Sequence, residues 1–298
     1  MQYRTLGSTG LSVSVVGIGT WQFGGEWGKN FEQTEVDAMF RRGKELGINL
    51  IDTAECYGDH LSERLIGAAI ERERSEWILC TKFGHTFHGP MQRTEPRTPA
   101  DTERQLDDSL AALRTDYVDV LQYHSWGDEQ FLDDDVLAVL HKAKSAGKVR
   151  HIGNSVGSNT NVRQIEASAA RQIEVIQIIY NRLDRKPEEG AFPVCVKQNL
   201  GVLARVPMAS GYLSGKYKAG ATFEKDDWRS GHKQEEVDAK LREVERIGKE
   251  EVPAGVQMAQ WALAWCLKNP AVTSVIPGCK SVAQVESNAA AVEVLGKI

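Results

Sequence analysis

Hydrophobic residues in this chain fall into short, nearly unbroken runs. Longer stretches separate them, in which apolar residues recur every three or four positions. The runs occupy residues 15–18, 49–52, 77–81, 117–121, 151–153, 175–179, 201–204 and 272–276. Unbroken apolar runs, rather than alternating ones, predict strands covered on both faces. Between them, residues 35–46 place Val36, Met39, Phe40, Gly43 and Leu46 at helical spacing. Residues 102–113 do the same with Leu106, Ser109, Leu110 and Leu113, and residues 133–146 with Val136, Leu137, Leu140 and Ala143. Gly47 and Gly147 follow two of these stretches, where a left-handed cap is expected. The 133–146 stretch opens on Asp residues and closes on Lys142 and Lys144, which complements the helix dipole.

Eight strand–helix alternations predict a closed (β/α)8 TIM barrel rather than two doubly wound halves. The expected organisation is one domain over residues 1–298. Two regions break the regularity. Residues 1–14 read as a β-hairpin ahead of the first barrel strand, placed to plug the bottom of the barrel. The interval from about 203 to 272 is too long for one strand–helix unit. It holds a Gly-rich loop, a polar helix around 234–249 and an apolar helix around 256–267, and a further helix is expected at the C-terminus.

The composition narrows the class without naming the chemistry. The 298 residues carry a net charge of −5, which argues against a broad nucleic-acid surface. No run of about 20 apolar residues is present, so no spanning helix or membrane partner is expected. The first residues lack the long apolar stretch of a secretory signal. The five cysteines, 56, 80, 195, 266 and 279, are dispersed and form no CxxC. A disulfide framework or cysteine-based zinc site is not expected, and a cytoplasmic location fits. The sequence leaves the oligomeric state open.

In a barrel, reactive groups sit at the C-terminal ends of the strands. There the second run ends in Asp52, followed by Thr53-Ala54-Glu55-Cys56-Tyr57-Gly58. The third leads to Lys82, the fourth to His124, and the sixth carries Gln177. Each of these residues taken singly has an ordinary structural role; their shared rim position is what points to chemistry. Asp, Tyr, Lys and His on one rim suit acid–base work on a carbonyl. A free Tyr ionises near pH 10, and a neighbouring Lys ammonium would lower that value. Asp52 would hold Lys82 charged, and His124 would polarise a carbonyl oxygen. No good covalent nucleophile and no His/Asp/Glu triplet with metal-ligand spacing is evident. The expectation is therefore no metal and an organic cofactor.

The segment 51–59, continuing through Ser62-Glu63-Arg64-Leu65-Ile66-Gly67, strongly resembles the aldo-keto reductase family. Thr81-Lys82-Phe83-Gly84, Asp119-Val120-Leu121-Gln122-Tyr123-His124, Gln177-Ile178-Ile179-Tyr180-Asn181 and Ile276-Pro277-Gly278 agree in order and spacing. The resemblance spans essentially the whole chain. It implies an oxidoreductase that reduces aldehydes, ketones or sugars by hydride transfer from NADPH, with NADH possible. It also implies the tetrad Asp52, Tyr57, Lys82 and His124, with Tyr57 as the acid.

The family's cofactor positions fall on Gly19, Thr20 and Trp21 after the first strand, and on Ser155 and Gln177. Val156 stands where the family usually has Asn. Arg205 stands where an aromatic often underlies the nicotinamide, and a guanidinium can also stack on a planar ring. Pro207, Met208 and Ser210 follow as further cofactor positions, and Gly211, Leu213, Gly215 and Lys216 belong to the loop, 211–217, expected to cradle pyrophosphate. Gly278, Lys280, Gln284 and Asn288 face the adenine end; Lys280 is the candidate partner of a 2′-phosphate, and Gln284 replaces a frequent Arg. Trp21, Phe23, Phe87 and Trp126 are the aromatic candidates for the substrate side, and the 85–98 loop is a candidate lid. The alternatives are an NAD-linked sugar or alcohol dehydrogenase on the same scaffold, or a cofactor-sensing regulatory subunit.

Overall fold

The computed structural model describes residues 1–225 and 227–298. In chain order the strands are β1 (Tyr3–Thr5), β2 (Ser12–Ser14), β3 (Ile18–Gly19), β4 (Leu50–Asp52), β5 (Ile78–Phe83), β6 (Thr86–Gly89) and β7 (Gln92–Thr94). They continue with β8 (Val118–His124), β9 (Val149–Ser155), β10 (Ile173–Ile179), β11 (Gly201–Arg205) and β12 (Ser274–Val275). Eight of them form one parallel sheet in the order β12-β11-β10-β9-β8-β5-β4-β3. Its edges meet. The Gly17 N–H donates to the Val275 carbonyl at 2.8 Å, the Val275 N–H donates to Val15 at 3.0 Å, and the Gly19 N–H donates to Pro277 at 3.0 Å. The sheet is thereby closed into the (β/α)8 barrel.

All eight apolar runs overlap barrel strands, the first of them only at Ile18. Their unbroken hydrophobicity has a direct cause, because successive residues point into two different cores. Leu50, Cys80, Val120, Val175, Leu203 and Ile276 pack inside the barrel. Their neighbours Ile51, Leu79, Leu121, Ile176 and Val202 face the surrounding helices. Two-residue alternation persists, but both faces are dry.

The main helices between the strands are α1 (Gln33–Glu45), α2 (Leu61–Ile70), α3 (Pro99–Ala112), the short α4 (Asp128–Phe131), α5 (Asp134–Ser145), the short α6 (Arg163–Ala167) and α7 (Ala191–Gln198). Gly47 (φ 82°) and Gly147 (φ 78°) follow α1 and α5 in the left-handed conformation expected of them. After β11 come α8 (Gln234–Glu250), α9 (Met258–Lys268), α10 (Val282–Ala289) and α11 (Ala291–Leu295). The amphipathic α8 buries Val237, Leu241, Val244 and Ile247 against Tyr212, Leu213, Trp261 and Ala262, which makes a satellite core beside the barrel mouth.

The N-terminal hairpin, β1 against β2, closes the barrel bottom. Leu6 and Val13 are fully buried in the inner core. The 85–98 segment differs from the open loop expected of it. β6 and β7 pair as an antiparallel hairpin, turning through Gly89 (φ 151°) and Met91 (φ 60°). Its strands are polar and short, so no apolar run announced them. A buried carboxylate holds the hairpin instead: Glu26 accepts from the Met91 N–H at 2.7 Å and from Arg93 Nη2 at 2.5 Å.

The plug is specified at atomic contact. Gly7 has φ 55°, and a Cβ there would lie 2.1 Å from the Gly201 nitrogen at the start of β11. Gly10 (φ 74°) has open space around the same position. Gly10→Ala should therefore cost only the left-handed backbone penalty, roughly 1–2 kcal/mol. Gly7→Ala adds a backbone clash, and its loss in urea denaturation should clearly exceed that of Gly10→Ala.

Candidate active site

The rim at the C-terminal ends of the strands opens into a cleft of about 750 Å³, within the range of ligand sites. At its floor is a buried ammonium. Lys82 is 1% exposed. Its Nζ donates to Asp52 Oδ2 at 2.9 Å, to the Thr53 carbonyl at 2.7 Å and to the Tyr57 hydroxyl at 3.3 Å. Those are three acceptors for three protons. Burial pushes the ammonium towards deprotonation, but Asp52 and Tyr57 outweigh it and hold its pKa above the ordinary lysine value.

Asp52 is shared further. Its Oδ1 accepts from Gln177 Nε2 at 2.6 Å and from Gln122 Nε2 at 3.2 Å, and Ser155 Oγ donates to Gln177 Oε1 at 3.2 Å. Inward positions of β4, β5, β8, β9 and β10 are thus tied into one buried polar network. Asn154, one residue along β9, points the other way and donates to Gln164 at 2.9 Å. Val156 is buried in the outer core.

Tyr57 is placed by the turn that follows β4. Gly58 (φ 67°) and Gly24 lie back to back; a Cβ on Gly58 would fall 2.7 Å from the Gly24 carbonyl, and one on Gly24 would fall 2.7 Å from the Tyr57 carbonyl carbon. Behind the turn, Ser62 Oγ donates to Thr20 Oγ1 at 2.9 Å, while Thr81 Oγ1 donates to the fully buried Glu63 at 2.5 Å. The start of α2 is therefore bolted to the ends of β3 and β5. Trp21 stacks over Tyr57, with ring centroids 6.2 Å apart and planes 24° apart. The phenol does not follow the expected downward shift. Burial pushes its pKa up to about 12, and Lys82 offsets only part of that.

His124 stands edge-on to Tyr57, with centroids 6.2 Å apart. Its Nδ1 lies 3.5 Å from Glu55 Oε1 and 3.7 Å from Cys56 Sγ. Burial, then Lys82 and Arg205, push its pKa well below the ordinary histidine value, so the ring is neutral. The expected tetrad is therefore gathered at one end of the cleft.

Most of the expected cofactor positions line the same cleft: Gly19, Thr20, Trp21, Ser155, Gln177, Arg205, Pro207, Met208, Ser210, Gly211, Lys216, Gly278, Lys280, Gln284 and Asn288. Leu213 and Gly215 do not. Leu213 is fully buried in the satellite core, and Gly215 (φ 77°) turns the chain beside it. The loop after β11 runs through left-handed residues, Val206 (φ 55°), Ala209 (φ 48°), Ser210 (φ 60°) and Gly211 (φ 87°). Such conformations are costly for a β-branched residue and concentrate at functional sites. The Lys280 N–H donates to Gln284 Oε1 at 2.8 Å, and Lys280 Nζ reaches the Trp27 carbonyl.

Of the substrate-side aromatics, only Trp21 faces the cleft. Phe23 is fully buried in the outer core against Phe31 and Phe40. Trp126 is packed on Phe83 and Tyr123 and edges a separate hollow. Phe87 lies in β6 outside the lining, beside Arg93. Rim loops turn aromatics inward as readily as outward, and no periodicity in a loop tells which. The sequence reading missed Trp27, His85, Arg93 and Arg229, all of which line the cleft. Arg229 reaches the loop after β11, donating to the Ser210 carbonyl at 3.3 Å while Asp227 grips it at 2.7 and 2.9 Å. It lies outside every predicted element, so only the path of the chain brings it there.

Lys82→Met leaves Asp52 as an uncompensated buried charge. Breaking a buried pair in this way costs about 3–5 kcal/mol. The variant should lose that much in urea unfolding, and a loss below about 1 kcal/mol would refute the shared network.

The family model "Aldo/keto reductase family" matches residues 15–297. "Aldo-keto reductase YhdN" of Bacillus subtilis (strain 168) is 30% identical, covering 96% of this chain and 87% of that protein. A "Probable voltage-gated potassium channel subunit beta" of Arabidopsis thaliana is also 30% identical, covering 99% of this chain and 92% of the relative. Among solved structures, the holo form of the aldo-keto reductase AKR11C1 from Bacillus halodurans has a TM-score of 0.81 at 30% identity, covering 98% of this chain and 91% of that one. The glycerol dehydrogenase AKR11B4 from Gluconobacter oxydans has a TM-score of 0.79 at 27% identity, covering 99% and 95%. By family match, curated likeness and fold, this chain belongs to the aldo/keto reductase family of oxidoreductases.

Proposed function

We propose that this protein is an NADPH-dependent reductase, acting as one barrel unit over residues 1–298. It converts the carbonyl group of an aldehyde, ketone or sugar to an alcohol, with Tyr57 as the proton donor. The observation that carries the reading is the buried Lys82 ammonium bonded to Asp52, the Thr53 carbonyl and the Tyr57 hydroxyl at the floor of the cleft.

The cleft suits a long, polar, anionic cofactor. Two lining atoms, Gln22 Oε1 and Arg205 Nε, are buried with no partner among the described residues, which implies a polar ligand. A Cβ on Gly278 would collide with the Gln22 side chain, so the glycine keeps that part of the floor open. Arg205 and Gln177 would flank the nicotinamide. Lys216 and Arg229 would offer charge to the pyrophosphate, and Lys280 to the 2′-phosphate. The bound nicotinamide supplies a hydride.

The chain's own groups do the rest. His124, neutral and held through Nδ1, is left with Nε2 to donate a hydrogen bond to the carbonyl oxygen and orient it. The Tyr57 hydroxyl gives up its proton to that oxygen as negative charge develops there. Lys82, 3.3 Å away, stabilises the phenolate that results. A phenol with its pKa pushed up to about 12 stays protonated through neutral and mildly alkaline pH. Reduction therefore does not weaken as pH passes the free-tyrosine value of about 10. Oxidation of an alcohol needs the phenolate, so it gains with rising pH.

The likeness to a channel beta subunit favours a second reading, in which the same cleft senses the cofactor for a partner. An NAD-linked sugar or alcohol dehydrogenase is a third, and the glycerol dehydrogenase neighbour agrees with it.

A panel of aldehydes, ketones and sugars with NADPH and NADH, read by nicotinamide absorbance, separates these readings. Tyr57→Phe should lower turnover by about 10²–10⁴-fold while cofactor still binds. Parental turnover in that variant would remove Tyr57 as the acid. The pH profile of kcat for reduction should stay level through about pH 10. Lys280→Ala should weaken NADPH by about tenfold to a hundredfold, the value of one charged hydrogen bond, and leave NADH binding nearly unchanged. A parent protein that prefers NADH would sink the NADPH assignment.

A further inference from the structure

The substrate end of the cleft holds a second arrangement that the tetrad does not account for. Glu55 and Cys56 precede Tyr57, His85 follows β5, and His124 ends β8. One donor atom from each of the four lies within 4.8 Å of all the others. We propose that Glu55, Cys56, His85 and His124 form a binding site for one divalent cation of the zinc type, whose occupancy excludes the carbonyl substrate.

The geometry is near that of a coordinated ion. Zinc–ligand bonds of 2.0–2.3 Å in a tetrahedron imply donor separations of about 3.3–3.8 Å. The His124 Nδ1 to Glu55 Oε1 and His124 Nδ1 to Cys56 Sγ distances, 3.5 and 3.7 Å, already fall there. Two of the four residues also hold polar atoms with nothing to bind. Glu55 Oε2 and His85 Nδ1 are buried without a hydrogen-bond partner among the described residues. Glu55 itself is 2% exposed. Buried polar atoms are rarely left so unless a ligand completes them. Two imidazoles, a thiol and a carboxylate suit zinc rather than calcium or magnesium, which take oxygen ligands.

Access is open. Cys56, His85 and His124 line the cleft, with Glu55 behind them. Coordination places thiolate and carboxylate charge against the ion, and the thiol proton leaves to solvent. An ion bonded to His124 Nδ1 stands in the part of the cleft that Cys56, His85 and His124 line, and takes up space that the carbonyl substrate would enter. This exclusion rests on the reductase reading; the binding itself does not.

The test uses the full chain stripped with a chelator and titrated with Co²⁺, with Zn²⁺ as competitor. One equivalent should bind, producing the visible bands of tetrahedral cobalt and a thiolate charge-transfer band, both lost on adding zinc. Cys56→Ser should abolish the charge-transfer band. His85→Ala should weaken binding by more than the about 10–100-fold that loss of an outer-shell partner costs. Circular dichroism confirms that each variant is folded. Substoichiometric binding, or a charge-transfer band that survives in Cys56→Ser, overturns the site. In the activity arm, Zn²⁺ should raise KM for the carbonyl without lowering kcat, reversibly with chelator; an unchanged KM at saturating zinc overturns the exclusion. If no carbonyl is turned over while cobalt binds as described, the reductase reading fails and the metal site stands.

Discussion

The structure turns on a lysine that has been taken out of water. An ammonium that is 1% exposed is tolerated only when its charge and all three protons are matched. Lys82 meets that condition with a carboxylate, a backbone carbonyl and a phenol contributed by β4 and the turn after it. The requirement propagates. Asp52 must be fixed, so Gln122 and Gln177 reach it from β8 and β10, and Ser155 reaches Gln177 from β9. A strand displaced by one residue would swing its polar side chain into the outer core and break the network.

The same constraint explains the contrast between the bottom and the top of the barrel. Below, the interior is mainly apolar and the Leu6–Val13 hairpin seals it. Above, polar residues replace aliphatic ones on the inward positions of the same strands. The resulting cost is borne near the cleft, where the left-handed Val206, Ala209 and Ser210 also collect. The lower shell and the helix-covered outer core are built from buried apolar side chains, and that base holds the rim groups in place.

The electrostatics of the rim divide the labour among chemically similar groups. Burial raises the Tyr57 phenol and lowers the His124 imidazole, so both are neutral. Lys82 keeps its charge because Asp52 sits against it. A bulk charge of −5 gives no hint of this. The cleft is locally cationic, through Arg205, Arg229, Lys216 and Lys280, on a chain that is acidic as a whole.

The sequence by itself determined the strands, most helices and the barrel. Each depends on local periodicity, and runs such as 117–121 or 175–179 have no other good way to bury both faces. It also determined that Asp52, Tyr57, Lys82 and His124 share a rim, because position at a strand end follows from the strand itself. Tertiary structure decided what depends on orientation and on distant partners. Phe23 and Trp126 went into the core because loop side chains have no period from which to read a direction. The polar hairpin at 86–94 formed because Glu26, in the segment between β3 and α1, holds it, an interaction at 65 residues' separation for Met91. Arg229 and the grouping of His85 with Glu55, Cys56 and His124 were likewise invisible along the chain. The phenol's upward shift belongs here too, since burial, which outweighs the lysine beside it, is a property of the folded molecule alone.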